Sequence, residues 1–174
     1  MALTMTVTAG GLILHAPTAT ARTTGDSTAA STARTTTAKA VRTAKTAKSR
    51  AARQKAKAVK AVAVAKGQIG DPYRYGADGP GSFDCSGLTQ FAWKKAGVKI
   101  PRVASSQFAR IKHKVSWKRL KPGDLVFFSG LGHVGVYVGN GKMVHSPRSG
   151  ERVRVEKLSG WRKSSFVGAV RPGM

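Results

Sequence analysis

The sequence contains almost no cysteine. Its 174 residues include a single one, Cys85, so no disulfide can form within the chain, and a small fold held together by disulfides is excluded. The one thiol is therefore either a structural or a reactive group. Long apolar runs are also missing: nowhere do about 18 consecutive apolar residues occur, which argues against a membrane-spanning helix.

Acidic side chains are scarce as well. Seven Asp and Glu stand against 31 Lys and Arg, which gives a formal net charge of +24. Residues 22–66 carry 12 basic and 1 acidic side chains, and residues 67–174 carry 19 basic and 6 acidic ones. Such a surface attracts nucleic acid, anionic lipid or the anionic polymers of a bacterial wall, and net charge does not choose among these partners.

Aromatic residues are missing from the first 70 positions, because all six Phe, three Trp and three Tyr come later. The material for a core is therefore C-terminal, and the length fits one domain with an appended tail. Residues 1–21 hold a short apolar stretch and end in Ala19-Thr20-Ala21, a pattern typical of signal cleavage, but no Lys or Arg precedes it. We expect either a truncated signal peptide, and hence export, or an unstructured terminus.

Residues 22–54 are rich in Ala, Thr, Lys and Arg and contain no Leu, Ile or Phe. Such a segment cannot form a core, so we expect a disordered linker that also tethers the protein to a polyanion. A dedicated nucleic-acid module is less favoured, because no aromatic side chain is available for base stacking. The folded domain is expected over residues 55–174, and it begins with a helix that stops at Gly70-Asp71-Pro72.

A second helix is predicted directly after Asp84, which is a suitable N-cap. Two lysines in its last turn and Gly97 just beyond it are typical of a helix end. Cys85 lies in the first turn, where free N–H groups and the positive end of the helix dipole stabilise a thiolate. An i, i+3, i+4, i+8 spacing gives this helix one apolar face, made of Leu88, Phe91, Ala92 and Ala96.

Short runs rich in Val and Phe follow the Pro122-Gly123 turn and are separated by Gly, Asn or Pro, as antiparallel hairpins require. They predict five strands, at residues 124–129, 133–139, 142–146, 151–157 and 165–171. Because helices come first and strands after, the predicted fold class is α+β, with N-terminal helices packed on a small antiparallel β-sheet.

The turn at Gly139-Asn140-Gly141 determines the register of the central hairpin. Alternating valines over residues 134–138 mark the buried face of the first strand, and Val144 should share that face on the next strand. A two-residue loop, with Gly139 paired to Lys142, would put Val144 on the opposite face. The pattern therefore predicts a three-residue loop that pairs Val138 with Lys142.

The same register places His145 across from Gly135 and on the same face as His133. Together with Cys85 at a helix start, the two histidines could supply a nucleophile, a general base and an orienting group. An imidazolium beside the thiol would generate the thiolate near neutral pH, and the second imidazole would fix the tautomer of the first.

The alternative is a buried structural cysteine with two surface histidines, but the capped helix, the glycine-rich surroundings and the shared strand face favour the catalytic interpretation. A metal site fits less well, since one Cys and two His lack a carboxylate or second thiol at ligand spacing. His15 and His113 have no motif context and are interpreted as incidental.

Five segments carry a resemblance to a known family. They are Gly70-Asp71-Pro72-Tyr73-Arg74-Tyr75-Gly76, Phe83-Asp84-Cys85-Ser86-Gly87-Leu88, Ile100-Pro101-Arg102, Gly123-Asp124-Leu125-Val126-Phe127-Phe128, and His133-Val134-Gly135-Val136-Tyr137 followed by Met143-Val144-His145. In this order, over about residues 57–172, the chain resembles the NlpC family of papain-like cell-wall cysteine peptidases. The resemblance implies a papain-like arrangement with the nucleophile at the start of a helix.

The resemblance also implies roles for individual residues. Cys85 would be the nucleophile, His133 the base and His145 the polar third residue. The oxyanion and substrate cleft would include Tyr73, Asp84, Ser86 and Arg102. Neither a metal nor another cofactor is expected.

Two departures from the family pattern bear on the cleft. Ala77 stands where the family often has a second glycine. Val103 and Ala104 precede Ser105-Ser106, where the family often carries small hydroxyl residues directly after the arginine. In some relatives such hydroxyls help the Asp before the nucleophile to hold the free amine of a stem peptide, so a requirement for free L-Ala is not carried over.

The sequence thus predicts an exported bacterial endopeptidase that cleaves peptide bonds in peptidoglycan stems or crosslinks, typically between γ-D-glutamyl and diaminopimelate or lysine. Anionic wall polymers are the expected partners of the basic tail, and the protein is expected to be a monomer. The alternative from another class is a non-catalytic protein that binds the wall or another polyanion, and the presence of Cys85, His133 and His145 argues against it.

Overall fold

The computed structural model describes the backbone of residues 28–174 and the side chains of residues 42–174. Residues 1–27 lie outside the described residues, and with them lie the expected signal peptide, the first residues of the expected linker and His15. The compact unit that carries the core is Arg42–Met174.

The first helix, α1, spans Thr28–Lys66. The sequence pattern predicts a disordered linker over residues 22–54, whereas the structure is helical from Thr28 onward. Ala, Lys and Arg are among the strongest helix formers, and their propensity accounts for the helix despite the repulsion between like charges. Among the side chains described, from Arg42 onward, the first buried one is Gln54, which donates a hydrogen bond to the Pro172 carbonyl at 3.1 Å. Beyond it, one helix face is buried in the core through Ala58, Ala61 and Ala65.

Helix α2 spans Cys85–Lys95 and matches the sequence prediction closely. The Asp84 carboxylate accepts a hydrogen bond from the Gly87 N–H at 2.7 Å, and Gly97 adopts a left-handed φ of 77° after the helix end. Gly87 is required by space, because a Cβ there would lie 2.2 Å from the Ala77 carbonyl oxygen. Leu88, Ala92 and Trp93 are fully buried in the main core.

Two further short helices were not predicted from the pattern. They are α3, Ala104–Arg110, and α4, Trp161–Ser164, and a 3₁₀ turn covers Trp117–Arg119. Neither short helix has a side-chain N-cap, which removes the usual sequence signal for a helix start.

The sheet has six strands. They are β1, Lys114–Val115; β2, Leu125–Phe128; β3, His133–Gly139; β4, Lys142–His145; β5, Arg154–Lys157; and β6, Phe166–Val170. Their order is β1-β6-β2-β3-β4-β5, and all neighbouring pairs are antiparallel. The predicted α+β fold is confirmed, as are five strand positions, to within a few residues at their ends.

Both faces of the sheet are covered. Alternating residues face the helices α1 and α2 on one side: Leu125, Phe127, Val134, Val136, Val144 and Val170. The intervening residues form a second cluster with Trp117 and Phe166: Val115, Val126, Phe128, Met143, Leu158 and Ala169. Because side chains alternate along each strand, His133 and His145 lie on the face of Met143, opposite the face that packs against α1 and α2.

The hairpin β3–β4 follows the predicted register at its centre but not at its loop. Val136 pairs with Val144, as the valine pattern predicts. The predicted pairing of Val138 with Lys142 is wrong, because Gly139 pairs with Lys142 across the two-residue loop Asn140-Gly141. A register shift between Tyr137 and Gly139 accommodates one extra residue in β3. This bulge puts Val144 on the same face as the valines of β3. Both loop residues have positive φ, as in the tight turns that favour Asn-Gly.

Candidate active site

A groove of about 460 Å³ opens at the N-terminus of α2. Every residue that the sequence predicts for the oxyanion and substrate cleft lines it together with Cys85: Tyr73, Asp84, Ser86 and Arg102. Leu131 and Gly132, from the loop that precedes β3, complete the same groove. Residues that are 59 positions apart in sequence therefore share one surface depression.

Tyr73 is held beside the start of α2 by backbone pairing. Its N–H donates to the Glu151 carbonyl at 2.9 Å, and the Phe83 N–H donates to the carbonyl of Pro72 at 3.2 Å. Burial, followed by the charges of Cys85 and Asp84, raises the pKa of the Tyr73 phenol. The hydroxyl therefore stays protonated at neutral pH and can donate a hydrogen bond into the groove.

Asp84 is fixed from several sides. Arg102 forms a bidentate ion pair with it, with Nη1 3.0 Å from Oδ1 and Nη2 2.5 Å from Oδ2. The hydroxyl of Ser86 donates to Oδ1 at 3.2 Å, and the Gly76 N–H donates to Oδ2 at 3.0 Å. Burial alone would raise the pKa of Asp84, but Arg102 and the Gly87 N–H hold it below its ordinary value. The result is an ionised carboxylate neutralised by one arginine.

The loop that carries Arg102 is anchored by Gln107 of α3. This buried amide donates to the carbonyls of Ser86 at 3.0 Å and Pro101 at 2.9 Å. Thr89 of α2 completes the contact by donating its hydroxyl proton to Gln107 Oε1 at 2.9 Å. Because no local pattern predicts α3, none marks Gln107 as the residue that holds the arginine loop against α2.

Cys85 is half-buried at the first position of α2. Burial raises the pKa of its thiol above the ordinary value; the backbone N–H groups of Val134, Ser86 and Cys85 itself oppose this, whereas the charge of Asp84 adds to it. The predicted stabilisation of the thiolate by the helix start is therefore outweighed by desolvation and by the neighbouring carboxylate. The Val134 contact also sets the sulfur beside the strand that begins with His133.

The two histidines meet as the hairpin register predicts. Nε2 of His133 lies 2.8 Å from Nδ1 of His145, and the ring planes are nearly perpendicular, at 84°. His145 is completely buried. Gly135 lies between the two, and a Cβ there would approach to 3.2 Å of the His145 Cβ and 2.7 Å of the Met143 sulfur. The glycine is thus what leaves room for the histidine pair.

Both rings are neutral at physiological pH. Burial, the neighbouring His145 and the charge of Arg162 lower the pKa of His133 to about 3. Burial lowers the pKa of His145 to about 4, with Arg162 and Arg154 adding to the effect and Glu156 opposing it. These pKa shifts favour a resting site with a thiol and two neutral imidazoles over the predicted imidazolium partner of the thiol.

Glu156 and Arg162 are the residues that the sequence analysis missed. Glu156 Oε2 lies 2.9 Å from Nε2 of His145, and Arg162 Nε donates to Glu156 Oε1 at 2.6 Å. The signal is the pairing of β4 with β5: Met143 lies opposite Glu156, so Glu156 is the diagonal neighbour of His145 on the same face. No local motif marks it.

A second groove, of about 480 Å³, is lined by His133 but not by Cys85. Its lining includes Glu151, Glu156 and Trp161 together with three arginines: Arg148, Arg154 and Arg162.

Within the part of the chain that the structure describes, no cluster of three or more His, Cys, Asp or Glu could hold a metal ion. In the same part of the chain, no helix is long and apolar enough to span a bilayer.

Comparison with known proteins gives consistent matches. The model of the NlpC/P60 family matches residues 70–171. The probable endopeptidase p60 of Listeria monocytogenes is 43% identical over 105 residues, which are 59% of this chain and 22% of that protein. The murein DD-endopeptidase MepH of Escherichia coli is 44% identical over 131 residues, which are 67% of this chain and 48% of that protein. The chain thus spans about a fifth of p60 and about half of MepH.

Solved structures agree with these matches. The peptidoglycan hydrolase RipB of Mycobacterium tuberculosis has a TM-score of 0.61 and 29% identity, with 69% of this chain and 66% of that chain covered. An NlpC/P60 family protein of Bacillus cereus has a TM-score of 0.61 and 35% identity, with 66% of this chain and 39% of that chain covered. The family model covers more than half of the sequence and includes Cys85, His133 and His145. The chain belongs to the NlpC/P60 family.

Proposed function

We propose that this protein is a cysteine endopeptidase that hydrolyses amide bonds in peptidoglycan peptides, with Cys85 as the nucleophile and His133 as the general base. The observation that carries the proposal is the 2.8 Å contact between His133 and His145 at the strand whose Val134 N–H faces the Cys85 sulfur. The names of the relatives support the substrate class, since p60 and MepH are called endopeptidases and RipB a peptidoglycan hydrolase.

In the first half of the reaction, the neutral His133 accepts the thiol proton while the Cys85 sulfur attacks the amide carbon. The S–C bond forms, and negative charge develops on the carbonyl oxygen, which the Cys85 N–H at the helix start and the Tyr73 hydroxyl would stabilise. His133 then gives its proton to the amide nitrogen as the C–N bond breaks. The amine leaves, and a thioester remains on Cys85.

In the second half, His133 accepts a proton from water as the water oxygen attacks the thioester carbon. The C–S bond breaks, the acid product leaves, and the proton returns to the Cys85 sulfur. The first half starts from the resting thiol and neutral imidazole that the pKa shifts describe, and the second half starts from the thioester and the same neutral imidazole. The base does not need to be charged before substrate binds.

The groove that contains Tyr73, Asp84, Ser86 and Arg102 is the proposed cleft for the acyl half of the substrate. Asp84 already has its charge neutralised by Arg102, so a substrate amine would share this carboxylate with the arginine. The bond cleaved is proposed to be of the γ-D-glutamyl-diaminopimelate or γ-D-glutamyl-lysine type within stems, or a bond at crosslinks.

The surroundings of the enzyme are part of the proposal. Export, action at the bacterial cell wall and a monomeric state fit a domain of residues 55–174 preceded by a basic segment. Residues 22–54 are proposed to hold the enzyme to anionic wall polymers, because the segment adds positive charge without apolar side chains that would pack in a core.

The test is release of soluble peptides from purified peptidoglycan, followed by mass spectrometry of the fragments. The Cys85→Ala variant should release none while keeping the thermal stability of the wild type, and His113→Gln serves as a matched histidine control with normal release. The masses of the fragments identify the bond and the diamino acid. Equal release by wild type and Cys85→Ala would contradict the proposal.

A further inference from the structure

Behind the histidine pair lies a carboxylate that is itself held in place. Glu156 of β5 presents Oε2 to His145 Nε2 at 2.9 Å, and its two oxygens lie 2.6 Å from Arg162 Nε and 3.2 Å from Arg162 Nη2. We propose that Glu156 is a positioning residue that sets the tautomers of both histidines and thereby leaves Nδ1 of His133 free to act as the base. This inference rests on the proposed function.

The first step concerns the charge of Glu156. Arg162 is 6% exposed and forms two hydrogen bonds to the carboxylate, and Arg154 lies 3.6 Å from Oε2. Burial would raise the pKa of Glu156, but Arg162 and His145 hold it below its ordinary value. The group is therefore a carboxylate, which can only accept hydrogen bonds.

The second step concerns His145. Its Nε2 is buried, and the ring N–H does not point straight along the 2.9 Å line to Glu156, so the contact is close in distance but poorly aligned as a hydrogen bond. The distance still favours a proton on Nε2, because a bare, negatively polarised ring nitrogen 2.9 Å from a carboxylate oxygen without water would be repelled by its charge. His145 must therefore carry its proton on Nε2.

The third step follows from the chemistry of neutral imidazole, in which one nitrogen donates and the other accepts. With the proton on Nε2, the Nδ1 of His145 is bare and accepts from His133 at 2.8 Å. The donor is Nε2–H of His133, so Nδ1 of His133 is bare. Nδ1 of His133 is therefore free to accept the thiol proton. The Glu156 carboxylate determines this through the tautomer of His145, which in turn determines the tautomer of His133.

The arrangement also explains why Arg162 is needed. When His133 becomes an imidazolium during the reaction, the negative charge of Glu156 stabilises it electrostatically. An isolated buried carboxylate would instead take the proton itself. Arg162 keeps Glu156 ionised, so the carboxylate orients the rings without becoming the final proton acceptor.

The first test compares two acidic residues of the same groove. Glu151 pairs with Arg148 at 2.8 Å and with Arg154, and neither contact involves a histidine, so Glu151→Gln is the matched control. In Glu156→Gln, Arg162 should keep the amide oxygen and turn the NH₂ group toward His145, which reverses both tautomers. We expect kcat to fall on the order of 10²- to 10⁴-fold, by the precedent of a wrongly set catalytic tautomer, with KM little changed. Glu151→Gln should stay within about twofold of wild type.

The decisive measurement is the tautomeric state of the rings, read by long-range ¹H–¹⁵N NMR of the full-length protein with ¹⁵N-labelled histidine. The wild type should show His133 and His145 protonated on Nε2, and Glu156→Gln should show both protonated on Nδ1. Protonation of either wild-type ring on Nδ1 would overturn the inference. So would a Glu156→Gln protein that loses activity with unchanged tautomers, because the loss would then be structural.

This measurement separates the inference from the proposed function. The wild-type tautomers are read without any variant, so a misfolded Glu156→Gln protein leaves the inference open to refutation. If the wild type hydrolyses no peptidoglycan but both rings carry Nε2–H, the proposed function fails while the tautomer assignment stands. If hydrolysis is normal and the rings carry Nδ1–H, the assignment fails alone.

Discussion

Cys85, His133 and His145 are uncharged together at neutral pH, because each is withdrawn from water. Burial raises the pKa of the thiol and lowers the pKa of the two imidazoles to about 3 and about 4. These shifts disfavour a stored thiolate–imidazolium pair, and we expect the proton to move from sulfur to nitrogen as the substrate is attacked.

The first prediction concerns the reactivity of the thiol. Alkylation of Cys85, the only cysteine, by iodoacetamide should be slow at pH 7 and should accelerate about tenfold per pH unit as the solution approaches the raised pKa of the thiol. The rate is measured by intact mass over pH 5 to 9. A fast rate that does not change between pH 5 and 8 would mean that a preformed ion pair exists.

The second prediction concerns stability against acid. In the folded protein the pKa of His133 is about 3 and that of His145 is about 4. In an unfolded chain the pKa of a histidine is about 6.5. The unfolded state thus binds more protons below pH 6.5, so the stability present above that pH is lost as the pH falls toward 4. Thermal unfolding should show a Tm that is flat above pH 6.5 and falls below it.

The variant His145→Gln should reduce this slope between pH 6.5 and 4, because it removes one of the two groups that cause it. The exposed His113 offers the control, and His113→Gln should keep the wild-type slope. The carboxylates of Asp84 and Glu156, whose pKa values are lowered, contribute only at the acid end of this range and below it. An unchanged slope in His145→Gln would contradict the assignment of a neutral, buried His145.

Among the elements, the hairpin β3–β4 builds the site, and Gly135 is its tightest point. Gly135→Ala would bring a methyl group 2.7 Å from the Met143 sulfur and 3.2 Å from the His145 Cβ. We expect a loss of about 1–3 kcal/mol of stability from this overpacking, together with a larger loss of hydrolysis from displacement of His145. Gly67→Ala, where the nearest atom would be 3.4 Å away, is the control. Wild-type hydrolysis by Gly135→Ala would show that the ring position tolerates the change.

The elements also show what the sequence could predict and what it could not. Alternating valines and the Asp84 cap are local patterns, so α2, five strands and the shared face of His133 and His145 followed from them. The loop was mispredicted because parity cannot distinguish a three-residue loop from a two-residue loop with a bulge. Glu156 was missed because its role depends on the β4–β5 pairing, a contact that no local pattern specifies.

Helix α1 extends into the segment for which composition predicts a disordered linker. The side chains of residues 42–53 are mostly exposed, so no apolar periodicity marks them, and the density of like charge favoured an extended chain. Helix propensity is summed over many alanines and lysines and requires no packing partner to produce a helical backbone. Composition identified a segment outside the core but not its local conformation.

For the molecule as a whole, the net charge of +24 is the dominant electrostatic property. Deletion of residues 22–53, which keeps the Gln54 contact to Pro172, should leave turnover of a small soluble peptide unchanged and weaken sedimentation with whole walls. The loss should shrink at high salt, because screening reduces the attraction in both proteins. A variant with its exposed basic residues in 42–53 changed to Gln removes part of the same charge and should weaken sedimentation in the same direction. Equal sedimentation of all three at low salt would assign the attraction to the domain surface alone.

The central claim is covalent catalysis by Cys85, and trapping of the acyl-enzyme tests it most directly. A soluble stem peptide is mixed with full-length protein, quenched in acid within milliseconds to seconds, and analysed by intact mass and peptide mapping. A mass increase equal to the acyl half of the peptide should appear on the fragment that contains Cys85 and be absent from Cys85→Ala. Hydrolysis of the peptide by Cys85→Ala at the wild-type rate, with no adduct on the wild type, would contradict the account.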